Sequence, residues 1–98
     1  MDQNQSGGEW ELIDMRGGWT AKIPKYIGSR YAMWFVEIYN DNCERYVSSV
    51  SDGNVYSRTA SYIDDATGRV ASVNIEQLPL ELREAIRGAQ ALVALMMD

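Results

Sequence analysis

The stretch RVASVNIEQLPLELREAIRGAQALVALMM, residues 69–97, decides the fold, because the spacing of its apolar residues changes part-way along. Up to Ile75 the pattern is that of a strand, with Val73 and Ile75 alternating with Ser72 and Asn74. Near Leu78 the period lengthens to about 3.6 residues, the period of a helix. Leu82, Ala85, Ile86, Ala89, Val93 and Met96 then form an apolar stripe, while Glu81, Arg83, Glu84, Arg87 and Gln90 face out. Pro79 suits a first helical position, where a missing N–H costs nothing, and Glu81 and Glu84 sit where the helix dipole favours negative charge. A helix from about Pro79 to Met96 is expected. Gly88 interrupts it at a cost of about 1 kcal/mol relative to alanine, unless the sheet approaches closely there.

Working back toward the N-terminus, the chain from Trp10 reads as short β-prone segments separated by turn residues at regular intervals. Strands are expected over residues 10–15, 19–23, 30–39, 43–50, 55–63 and 69–75. The turns between them are rich in Gly, Asn and Asp: Arg16-Gly17-Gly18, Asn40-Asp41-Asn42, Ser51-Asp52-Gly53-Asn54 and Asp65-Ala66-Thr67-Gly68. Pro24 ends the second strand because it cannot donate to a ladder. The third segment is apolar on both faces, with Ala32, Trp34, Val36 and Ile38 on one side and Tyr31, Met33, Phe35 and Tyr39 on the other. Such a strand belongs in the middle of a sheet, with the helix on one face and a loop, the curled sheet or a partner on the other. The fold class is therefore α+β, an antiparallel β-meander of about five to six strands packed against one C-terminal α-helix.

With 98 residues the chain has room for one core, and 46 % hydrophobic with 23 % charged residues is the composition of a folded protein. Residues 1–8 offer nothing apolar to bury and are expected to form a mobile tail, leaving 9–98 as one domain. The longest apolar run, Ala91 to Met97, is far shorter than the roughly 20 residues that span a bilayer, and no secretory leader is evident, so a cytoplasmic protein without membrane contact is expected. That run is nevertheless apolar on every side. Either a groove of the same domain covers it, or it forms a homodimer or partner contact using Leu92, Leu95, Met96 and Met97.

The chain contains no histidine and one cysteine. The commonest general base, the usual activator of a Ser or Cys nucleophile and the ligands of zinc and iron–sulfur sites are thus missing, and no cofactor or metal is expected. Cys43, at the start of a predicted strand, is expected to be a small buried residue. Asp64 and Asp65 would carry any carboxylate chemistry, but their setting is that of a hairpin turn. The net charge of −5 disfavours nucleic acid and favours a protein partner with a basic surface. The mixture of Tyr, Arg and Ser in the last three strands is the vocabulary of protein-binding faces, and Arg45, Tyr46, Tyr56, Arg58 and Tyr62 are the candidate contacts. The expected function is non-catalytic: a binding module with the character of a small acidic inhibitor or neutraliser, as immunity proteins, antitoxins and phage anti-defence proteins are. A homo-oligomer built through the helix end is the alternative, and a carboxylate-based enzyme or small-ligand binder comes last.

Overall fold

A computed structural model describes residues 9–27 and 33–97. The expected N-terminal tail and the beginning of the third strand, residues 30–32, lie outside the described residues. The described chain is an α+β fold made of β1 (Trp10–Asp14), β2 (Thr20–Pro24), β3 (Met33–Tyr39), β4 (Glu44–Ser51), β5 (Val55–Tyr56), β6 (Thr59–Asp64), β7 (Arg69–Asn74) and α1 (Leu80–Met96). The strands form one antiparallel sheet in the order β1-β2-β3-β4-β6-β7, with the short β5 paired to the end of β4. This is the expected meander, and β3 lies in its interior as its two apolar faces require.

Local chemistry explains most boundaries. The β1–β2 connection is a 3-10 turn, Arg16–Gly18, in which Gly17 and Gly18 take positive φ. Asn40 folds its own turn: its Oδ1 accepts the N–H groups of Asn42 and Glu44, and its Nδ2 donates to Glu44 Oε1. That turn places Cys43 at φ 63° and leaves it exposed, correcting the expectation of a buried residue, because the strand begins one position later than the sequence suggests. Pro79 caps the helix from outside and Leu80 is its first residue.

One predicted strand, 55–63, is broken in two. Between β5 and β6, a step of three residues on β4, from Val50 to Val47, corresponds to five residues on the partner, from Tyr56 to Ser61. The surplus is a bulge at Ser57 and Arg58, whose even length keeps the same faces in and out. It also turns the carbonyls of Ser57 and Thr59 away from the regular ladder, and buried carbonyls need donors.

The helix supplies one. Gln90, expected to face solvent, is fully buried among the core residues Val36, Val50, Ile86 and Val93. Its Nε2 donates to Ser48 Oγ at 3.0 Å and to the carbonyls of Ser49 and Ser57, each at 3.2 Å. Arg87 Nη1 in turn donates to Gln90 Oε1 and to the Ser57 carbonyl. Apart from this knot the core is apolar, with Leu82, Ala85, Ile86, Ala89 and Val93 of the helix lying on Ala21, Ile23, Val36, Ile38 and Val50 of the sheet. Gly88 is not a point of close approach, since a Cβ there would meet only Met15 Cε, at 3.8 Å.

Candidate protein-binding face

The helix lies against β2, β3 and β4, so the sheet has one covered and one open face. Strand registers assign the side chains. Ala21, Ile38 and Tyr46 stand in line on the helix side, as do Val36 and Ser48. Trp10, Leu12, Lys22, Phe35, Glu37 and Arg45 have the opposite parity and stand on the open side.

Four large apolar side chains of the first three strands are exposed: Leu12 at 60 %, Phe35 at 57 %, Met33 at 47 % and Trp10 at 45 %. Trp10 and Leu12 border a cleft of about 530 Å³ that is also lined by Lys22, Tyr39 and Arg45 with the acids Glu37, Glu44 and Asp65. Lys22 Nζ stands 5.0 Å from the centre of the Trp10 ring, a cation–π contact. Arg45 is held by a two-pronged hydrogen bond to Asp65, at 3.0 and 3.2 Å, and by Glu37 at 3.3 Å. The bond to Asp65 raises the Arg45 pKa against a smaller effect of burial, and the same bond lowers that of Asp65. With Lys22 directly across from Glu37, the cations of the cleft face acids of the same face. Beside Phe35 lies a smaller hollow of about 160 Å³, lined by Val47 and by Ser49, Ser57, Thr59 and Ser61.

The five contact residues read from sequence are distributed over the molecule rather than brought together. Arg45 lies on the open face. Tyr46 and Tyr62 face each other across β4 and β6 on the helix side, their rings 5.1 Å apart, with Trp19 edge-on to Tyr46 at 5.8 Å. Desolvation pushes both phenols above their ordinary pKa, with Glu44 adding to it in Tyr46, and Asp64 and Glu44 in Tyr62. Tyr56 is half-buried and lines a hollow at the helix end with Asn54, Ala91, Ala94 and Leu95. Arg58 is exposed in the bulge. Of the helix-end residues, Leu92 and Leu95 are exposed while Met96 and Met97 pack against the core.

Asp64 and Asp65 are engaged in the fold: Asp64 Oδ1 accepts the Ala66 N–H and Asp65 pairs with Arg45. Among the described residues no group of His, Cys, Asp and Glu could hold a metal ion, and no helix is long and apolar enough to cross a membrane. Sequence reasoning did not single out Leu12, Met33 or Phe35 as contacts, although the double-sided apolar pattern of β3 was the signal for Met33 and Phe35. Comparison with protein-family models, with curated proteins and with solved structures returned no match.

Proposed function

We propose that this protein is a non-catalytic binding module, a small acidic inhibitor or neutraliser in character, which occupies a surface on a larger protein partner with the open face of its sheet. The observation that carries the reading is Phe35: a phenylalanine on an interior strand, 57 % exposed, with Met33 on the same face of β3 and Ser49 directly opposite it on β4. Exposed apolar side chains gathered on one face, bordered by serines and by an arginine already paired with Asp65 and Glu37, have the make-up of a contact centre with a polar rim. Because Arg45 is paired with Glu37 and Asp65 and Lys22 lies over the Trp10 ring, the contact itself suits an apolar patch on the partner. The net charge of −5 acts at longer range and steers the chain toward a basic surround.

The test compares wild type with Phe35→Ser as bait in native lysate, followed by affinity measurement on any partner identified by mass spectrometry. Phe35→Ser should retain the fold, since the side chain is exposed and serines already stand beside it, and should weaken binding by at least tenfold, as loss of a central aromatic contact does. Arg58→Ala, whose charge lies toward Glu76 and which does not line the hollow beside Phe35, should bind as wild type does. A partner held equally by Phe35→Ser rules out the open face.

A further inference from the structure

The two edges of the sheet are built differently. β1 carries Glu11 and Asp14, with Glu9 immediately before it, and charges of one sign along an edge hinder pairing with another strand. β7, Arg69-Val70-Ala71-Ser72-Val73-Asn74, has a single charge at its first position and no proline, glycine or break in register, and all its residues except Val73 are exposed. Its odd-numbered residues make the ladder to β6: the Ile75 N–H donates to the Arg58 carbonyl at 3.0 Å, and the unbroken register sets Val73 against Ala60, Ala71 against Tyr62 and Arg69 against Asp64. In an antiparallel ladder the intervening residues point the other way, so the N–H and C=O groups of Val70 and Ser72 are directed outward from the sheet. An edge of this length, roughly 20 Å, is a template for a further strand.

We propose that β7 is a self-association edge, at which two copies of this chain pair β7 against β7, antiparallel about a two-fold axis, and join their sheets into one. Charge selects the second copy as occupant. Two chains of net charge −5 approach best where acids are fewest, and the one charge on β7 is the positive Arg69. Antiparallel pairing carries Arg69 of each copy toward the end of the other strand, where Asn74 and Glu76 stand. It also keeps the acidic turns at Asp64 and Asp65 of the two copies at opposite ends of the joined sheet, away from each other. Two-fold pairing with matching faces sets Val70 opposite Ser72 or Asn74, and Ala71 opposite Ala71 or Val73, small and β-branched residues suited to directly opposed positions. The inference does not depend on the partner-binding reading, although the joined sheet sets two open faces side by side.

The test is the mass in solution by light scattering, from micromolar to millimolar protein. Wild type is expected to reach twice the chain mass at the upper end. Ser72→Pro removes only an outward N–H and leaves the ladder to β6 intact, and Val70→Lys places a charge on the same edge. Both are expected to have the mass of one chain, with unchanged far-UV circular dichroism; should Ser72→Pro not fold, Val70→Lys decides alone. Leu95→Glu and Phe35→Ser are expected to keep the dimer. A wild type of single-chain mass throughout the range overturns the proposal, as does a dimer that persists in the edge variants or is lost in Leu95→Glu alone.

Discussion

Replacing Gln90 by leucine keeps the volume of the side chain and removes every hydrogen bond it makes. The amide has two N–H donors to share among Ser48 Oγ and the carbonyls of Ser49 and Ser57, and its Oε1 accepts from Arg87. Each of these partners retains another bond: the Ser49 carbonyl accepts the Ser57 N–H, Ser57 O accepts from Arg87, Ser48 Oγ donates to the Thr59 carbonyl, and Arg87 also reaches Glu76 Oε2 at 2.7 Å. No carbonyl is orphaned, so the full desolvation penalty does not apply. The loss is instead that of two to three ordinary hydrogen bonds, less the gain from an apolar side chain in a core, or about 2 kcal/mol. For a domain of this size that lowers Tm by roughly 8 to 16 °C. Urea unfolding followed by tryptophan fluorescence reads the difference, and an unchanged m-value would show that the denatured state is not involved. Gln90→Ala adds a cavity and should cost about 2 kcal/mol or more beyond Gln90→Leu. Ser48→Ala combined with Gln90→Leu should be less damaging than the sum, with a coupling of about 1 kcal/mol. A Gln90→Leu protein as stable as wild type would refute the reasoning, since the buried amide would then contribute no more than an apolar side chain of its shape.

Two glycines should respond in opposite directions in the same assay. Gly88→Ala, whose new Cβ meets only Met15 Cε at an ordinary 3.8 Å, should stabilise the helix by up to about 1 kcal/mol, whereas a loss would mean that the helix sits closer to its neighbours than described. Gly17→Ala, at φ 75° with Glu81 Oε1 only 2.8 Å from the new Cβ, should cost about 1 to 2 kcal/mol. Acid should act through the paired carboxylates. Hydrogen bonds from Arg45 and Arg87 lower the pKa of Asp65 and Glu76 below their ordinary 3.8 and 4.5, so the stability they contribute is present above those values and is lost as pH falls through the lowered ones. Asp65→Asn should flatten the fall in Tm below pH 4, and an acid limb identical to that of wild type would show that the Arg45 pair does not contribute.

What could be read from the sequence is what local chemistry determines. The change of period near Leu78, the positive-φ glycines of the first hairpin and the Asn40 turn need no distant information. Gln90 was not legible, because its burial depends on the bulge at Ser57 and Arg58, and that bulge exists only as a mismatch of register between strands. The scattering of the candidate contacts was legible in part. Arg45 and Tyr46 are adjacent, and adjacent residues of a strand point to opposite faces, so the pleat alone places them on different surfaces. Tyr56 and Arg58 are a different case, since their positions follow from the break between β5 and β6.

The open face follows from an imbalance between sheet and helix. Strands stand about 4.8 Å apart, so six abreast make a sheet more than about 24 Å wide, whereas one helix with its side chains is about 10 Å across. A single helix therefore covers about half of one face and leaves the other bare. A sheet face exposed to water is usually furnished with small polar residues, as this one is at Ser49, Ser61 and Ser72, which stand on β4, β6 and β7. On β1 and β3 the equivalent positions hold Trp10, Leu12, Met33 and Phe35, all exposed, against Val70 as the one exposed large apolar side chain of β4, β6 and β7. Water treats both halves of the face alike, so solvation cannot account for the difference between them. The apolar half calls for a cause outside the core, and the proposed partner contact would supply one, burying Phe35 and Met33 within a rim of serines.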